Sequence, residues 1–338
     1  MRRLKLALIA SFLLGCGDGN DGGTTTTLSH AFEPVTLEAG GELSWECQSW
    51  TLNNPEPLWV NAVRSDNDGF WHHSNWFFVP DTFYTLSDGS PGDGTWPCDE
   101  RGFEELEAGV AGGVLFAQST QSTEDVQEFP ANHAFRIPAH SQVVGNIHLL
   151  NLSDTEITSG IRFEIDTIPA EEVATPLQPM AFFNRAIALP PNQDSEFTME
   201  CTFDEPQRFG VHYVMPHYHE LGTGIRLELV GGDRDGEVIF QTDGRTGEAW
   251  GESLDPAEDM AGATGLRFTC AYSNPRNEVV EWGIGDQEMC VFLAYTDSPE
   301  KHAGETGDSS TNEEVDEVDG VSLNEAPCDL ASFVPAAD

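Results

Sequence analysis

The sequence predicts an all-β protein: two tandem antiparallel β-sandwich domains, jelly-roll-like, with a cleft between them. Three observations carry this. Short runs such as 43–52, 58–63 and 161–165 place apolar residues at every second position, the period of a half-buried strand. The 33 glycines and 20 prolines divide these runs at turns, and no long stretch keeps a helical period. A chain of 338 residues is long enough for two ordinary domains, and Pro169, Pro176 and Pro179 mark a linker near its middle.

Taken in order, residues 1–16 read as a targeting segment. Arg2, Arg3 and Lys5 precede an apolar run, 6–14, far too short to span a bilayer. It ends in Leu13-Leu14-Gly15-Cys16, which resembles the lipobox of bacterial lipoproteins. Cleavage before Cys16 and lipidation of its thiol would give an exported protein that meets a membrane only through a lipid anchor. Residues 17–32, with Thr24 to Thr27, read as a flexible tether.

The first domain is expected over 33–168. Its strands include 43–52, 58–63, the His72-His73 run 69–78, and 142–151, where Asn146 and His148 share a face. Residues 91–98 read as a turn-rich loop, and 101–110 as a short helix or irregular connection. The second domain is expected over 169–299, with strands at 195–203, 211–214, 217–221, 225–230, 238–242, 266–272 and 289–295. Residues 300–322 are acidic and poor in apolar side chains, which predicts disorder. Cys328 ties the tail, 300–338, back to the second domain.

The formal net charge of −43 excludes nucleic acid and anionic membrane surfaces as partners and favours plain solubility. Of seven cysteines, Cys16 is assigned to lipid. The other six suit an oxidising compartment, allow 15 pairings, and include no Cys-x-x-Cys pair that would suggest a zinc knuckle or redox motif.

The chemistry centres on Met215-Pro216-His217-Tyr218-His219. On a strand, His217 and His219 point the same way, a chelate suited to copper or zinc. The plain alternative is two half-exposed strand histidines. His72 and His73 are adjacent, so a regular strand sends them to opposite faces, and a shared metal needs a bulge or a strand end. Burial among Trp71 and Trp76 is the simpler reading of that pair taken alone. His30 falls in the tether and His302 in the acidic tail; His133, His140 and His212 have no partner at ligand spacing. No Ser/His/Asp order, phosphate loop or dinucleotide fingerprint is visible.

Together these sites occur in a recognisable order. His72-His73, Asn146-Ile147-His148, His217-Tyr218-His219-Glu220-Leu221-Gly222, Phe268-Thr269-Cys270-Ala271-Tyr272 and Glu288-Met289-Cys290, with Gly94 to Glu100, resemble the copper type II, ascorbate-dependent monooxygenases. That family includes peptidylglycine α-hydroxylating monooxygenase and dopamine β-monooxygenase. The resemblance covers about residues 40–296. It implies two coppers per chain, facing each other across a solvent-filled cleft. His72, His73 and His148 would hold the electron-transfer copper. His217, His219 and Met289 would form the catalytic site where O2 meets a small organic substrate, with ascorbate or a similar one-electron donor. It also implies the disulfides Cys47–Cys98, Cys201–Cys328 and Cys270–Cys290, the last fixing the direction of Met289.

Met215 stands where the family's peptide hydroxylases have an arginine, and Val291 and Leu293 where they have an Asn and a Tyr. The implied substrate is therefore less polar than a glycine-extended peptide. Asn146 stands in place of a family glutamine. A monomer is expected. The competing readings are a copper-storing or copper-relaying lipoprotein and, more weakly, a non-catalytic adhesion module.

Overall fold

A computed structural model describes residues 25–118, 122–242, 251–283, 286–307 and 311–334. The targeting segment, Cys16 and most of the expected tether lie outside the described residues. The fold is all-β, with one α-helix, Glu105–Ala111, among the described residues. No helix there is long and apolar enough to cross a membrane.

Two sheets pack against opposite ends of a long third sheet. The five-stranded sheet runs in the order Gly94–Pro97, Glu42–Thr51, Ser141–Leu150, Trp71–Pro80, Gly113–Gln118. The six-stranded sheet is centred on Gly222–Val230, Gly265–Asn274 and Gln193–Thr202. The long sheet has eleven strands and crosses the middle of the chain. Thr175–Phe183 pairs in parallel with His133–Ile137 on one side and antiparallel with Val291–Thr296 on the other. The two halves thus share one hydrogen-bonded sheet.

Burial follows the alternation of side chains along strands. Trp76 meets Phe163 with ring centroids 4.6 Å apart, and Phe78 stacks on Phe135 at 5.7 Å, filling the core of the first half. In the second half Phe268 meets Phe292 at 5.9 Å. The Val291–Thr296 strand is buried on both faces. Cys290, Phe292 and Ala294 enter the second core, while Val291, Leu293 and Tyr295 enter the first, joined there by Tyr213, Met215 and Met289. An apolar core fills part of the seam between the halves, and residues of both halves line an open cavity beside it.

Several sequence expectations change. The end of the expected tether is a strand, Thr26–Ala31, paired with Ile161–Thr167. His30 on it stacks on Trp50 with centroids 4.8 Å apart. The turn-rich loop contains the short strand Gly94–Pro97. The tail expected to be disordered forms Lys301–Glu305, Glu313–Val318 and Val321–Pro327, and His302 is buried at 2% exposure. Its core-facing positions are His302, Gly304, Ser322 and Asn324, so a count of apolar residues does not register them. All three implied disulfides are present: Cys47–Cys98, Cys201–Cys328 and Cys270–Cys290. They fit an oxidising, extracytoplasmic compartment.

Candidate metal centre

The first histidine set depends on a bulge. Along the pairing of Trp71–Pro80 with Ser141–Leu150, His148 lies opposite His73, and Leu149 lies opposite Trp71. His72 is the extra residue, which turns it toward the side of its neighbour. His72 and His73 Nδ1 atoms are 3.1 Å apart. The His148 ring lies 4.9 Å from His72 and 4.8 Å from His73, centroid to centroid. One nitrogen from each of the three can be chosen so that all lie within 4.8 Å of one another. His148 Nε2 is 2.8 Å from Glu42 Oε1, the carboxylate contact that commonly orients a metal-binding imidazole. The strand passes under Trp76 because residue 145 is glycine: a Cβ there would sit 2.4 Å from the indole.

The second set is built differently from the strand alternation expected for it. The Gly210–His217 strand ends at His217, and His219 lies in the loop that follows. Among the described residues the neighbouring strand Glu252–Asp259 pairs only as far as Val214, two residues short of Pro216, which has no N–H to offer a ladder. Glu288 fixes the loop. Its buried carboxylate accepts the backbone N–H of His219 at 2.8 Å and of Leu221 at 2.7 Å. Burial pushes Glu288 up to about 7, against the pull of those N–H groups. His219 Nδ1 meets the Gln287 carbonyl at 2.8 Å, which leaves Nε2 for a ligand. Tyr218 is fully buried against Gly222, where a Cβ would meet its ring at 1.9 Å.

The two sets are brought together. His73 and His219 stack with centroids 5.2 Å apart and planes 16° from parallel, and His73 lies 5.8 Å from His217. Met289 lines a cavity of about 50 Å³ with His217 and a second of about 170 Å³ with His73, so the sixth implied ligand shares a cavity wall with one histidine of each set. Tyr272 donates its hydroxyl to the Met289 carbonyl, and the Cys270–Cys290 bridge adjoins it.

The donor atoms fit a metal. Burial and neighbouring imidazoles hold His73 and His217 well below the usual imidazole range and bring His219 down to about 4. Neutral rings carry the lone pairs a metal requires. His148 Nδ1, His219 Nε2 and both nitrogens of His217 are buried without a hydrogen-bond partner. Leaving a buried polar atom unsatisfied costs about 1–3 kcal/mol, and a coordinated ion removes that cost. Imidazoles with a thioether nearby suit copper, the thioether favouring the reduced ion.

The larger cavity adds groups that sequence reasoning missed. Glu105 is half-buried at its wall, held up by desolvation and bonded by Asn75 Nδ2 at 2.9 Å. Arg185 and Trp282 border both cavities. No motif marks Glu105 or Arg185, whereas Glu288 lay within the quoted triplet. Met215, Val291 and Leu293 face the apolar core, in keeping with the absent carboxylate-gripping set. His140 is exposed on a turn, as expected. His133 and His212 do meet, with centroids 4.8 Å apart, beside Asp297; the chain distance between them hid this contact.

No protein-family model matches the chain, and no curated protein matches it in sequence. Solved structures similar to it include the major capsid protein P2 from bacteriophage PM2, at 9% identity over 78% of this chain and 97% of that one, with a TM-score of 0.32. PNGase F, a glycosylasparaginase from Flavobacterium meningosepticum, is similar at 9% identity over 81% and 95%, with a TM-score of 0.37. Likenesses this distant carry no argument about function.

Proposed function

We propose that the chain is a copper-dependent monooxygenase that hydroxylates a C–H bond of a small organic substrate, using O2 and a one-electron donor such as ascorbate. The observation that carries this reading is the convergence of four buried histidines and the half-buried His72 beside Met289 and a cavity, with His148 Nδ1, His219 Nε2 and both nitrogens of His217 lacking protein partners. His72, His73 and His148 would hold one copper; His217, His219 and Met289 would hold the other. Bound copper would supply the one-electron chemistry by which oxygen is activated and one of its atoms enters the C–H bond.

The chain's own residues do the rest. Glu288 and Gln287 hold His219 in place, and Glu42 orients His148. Phe77, Val114 and Leu293 give the Met289 side an apolar wall. The 170 Å³ space bordered by Met289 has room for a small organic substrate. Its polar end would face Glu105 and Arg185. Export with a lipid on Cys16 would carry the enzyme on a membrane surface.

Oxygen uptake by copper-loaded protein tests the proposal. Uptake should depend on both ascorbate and an added organic substrate. Met289→Ala should abolish it while copper stays bound at the first set. Copper binding without substrate-dependent uptake would favour the relay lipoprotein; no stoichiometric copper would favour an adhesion module.

A further inference from the structure

The five rings lie close together. Within the first set, centroids lie 4.8 to 5.2 Å apart; within the second, 5.1 Å. Between the sets, His73 lies 5.2 Å from His219 and 5.8 Å from His217, and His72 lies 6.4 Å from His219. The gap between the sets is thus about as narrow as the gaps inside them. His73, His148, His217 and His219 are each at most 4% exposed, so no layer of solvent separates the sets.

This closeness is built into the fold. The first set rides on the first half of the chain and the second set on the latter half, and the halves cannot part as rigid bodies. They share the long sheet through the pairing of 175–177 with 133–135. Tyr213, Met215, Val291, Leu293 and Tyr295 of the latter half are buried in the first half's core. Opening a cleft would expose that core. Two cations held side by side repel, and three carboxyl groups lie close to the histidines. Glu42 contacts His148, Glu288 underlies the His219 loop, and Glu105 shares the cavity with His73 and Met289.

We propose that the five histidines form one centre that holds two copper ions as magnetically coupled neighbours, rather than two isolated sites. This rests on the copper reading above and departs from the separated pair that the sequence resemblance implies. Centres that hold two metals jointly keep them about 3.5–4 Å apart, a spacing at which two unpaired spins interact strongly.

The experiment is titration of the metal-free, full-length folded protein with Cu(II), followed by electron paramagnetic resonance. The first equivalent should give a normal mononuclear signal. The second should lower the integrated intensity below the number of coppers bound, or produce a half-field transition. Loading one equivalent of Cu(II) followed by one of Zn(II) should restore a full, undistorted mononuclear signal, a control that needs no variant. Two bound coppers with full intensity and no half-field line would overturn this inference and leave the copper reading standing. One copper per chain would overturn this inference as well. Binding of no copper would overturn both.

Discussion

Glu288 has no direct place in the ligand set, yet the position of His219 depends on it. One carboxylate oxygen takes the N–H of His219 and the other that of Leu221. An amide has one acceptor oxygen, and its NH2 would face the second N–H. Glu288→Gln should therefore strand one buried donor and cost about 1–3 kcal/mol. Copper affinity of the His217 and His219 set should fall with it, while the protein still folds; thermal unfolding and a copper titration measure the two effects. Gly222 makes a steric counterpart. A methyl there must displace the Tyr218 ring between the two ligands. Gly222→Ala should destabilise by about 1–3 kcal/mol and weaken copper at His217 and His219 more than at His148, whose pairings lie in another sheet. Equal weakening at both would show that Tyr218 does not set the ligand loop. At this scale the sequence revealed which residues converge but not how. His217 and His219 were legible as a chelate by alternation, although the strand stops between them and hydrogen bonds accepted by Glu288 and Gln287 do the positioning.

Elements carry a different kind of information. Adjacent histidines require a bulge if they are to share a metal, and that requirement is readable from 71–73 alone; the register shift opposite His148 meets it. The tail strands were hidden because apolar content is a poor guide when core positions are filled by small or hydrogen-bonded polar residues. His302 is the clearest case. It lies between Ser298 Oγ at 2.9 Å and Ser332 Oγ at 2.8 Å, with Phe209 stacked on it. Burial lowers it from the ordinary 6.5 to about 4. The sign follows from proton counting. Above pH 6.5 neither the folded nor the unfolded chain protonates this ring. Between 6.5 and 4 the unfolded chain binds the proton and the folded one does not, so stability falls as pH falls, by about 3 kcal/mol at most. His302→Gln keeps a hydrogen-bonding side chain but cannot titrate. The difference in unfolding free energy between variant and parent, followed from pH 7 to pH 4.5, should shift in favour of the variant as the pH drops. A constant difference would mean that His302 protonates freely in the folded protein.

The whole molecule departs most from what the chain suggests. Composition and the proline-rich stretch after Ile168 were enough to reveal all-β architecture and a change of core near the middle. They could not reveal that Thr175–Phe183 continues the first half's sheet, because strand pairing between distant segments leaves no local mark. The one trace is in 291–295, Val-Phe-Leu-Ala-Tyr, a run without polar alternation, as expected of a strand buried on both faces. A strand with one face in each core couples the halves energetically. Unfolding should accordingly be one cooperative transition, with calorimetric and van't Hoff enthalpies equal and with tryptophan fluorescence and far-ultraviolet circular dichroism changing together. Six of the eight tryptophans lie before residue 100, so fluorescence reports chiefly on the first half, and agreement between the probes is informative. Tyr295 provides the perturbation. Its hydroxyl, carried by the latter half, donates to the Val114 carbonyl of the first. Tyr295→Phe removes that bond and leaves a buried acceptor, at a cost of about 1–2 kcal/mol. In a coupled molecule the whole transition moves down intact. In a molecule of independent domains the variant would split it, the fluorescence change separating from the circular dichroism change.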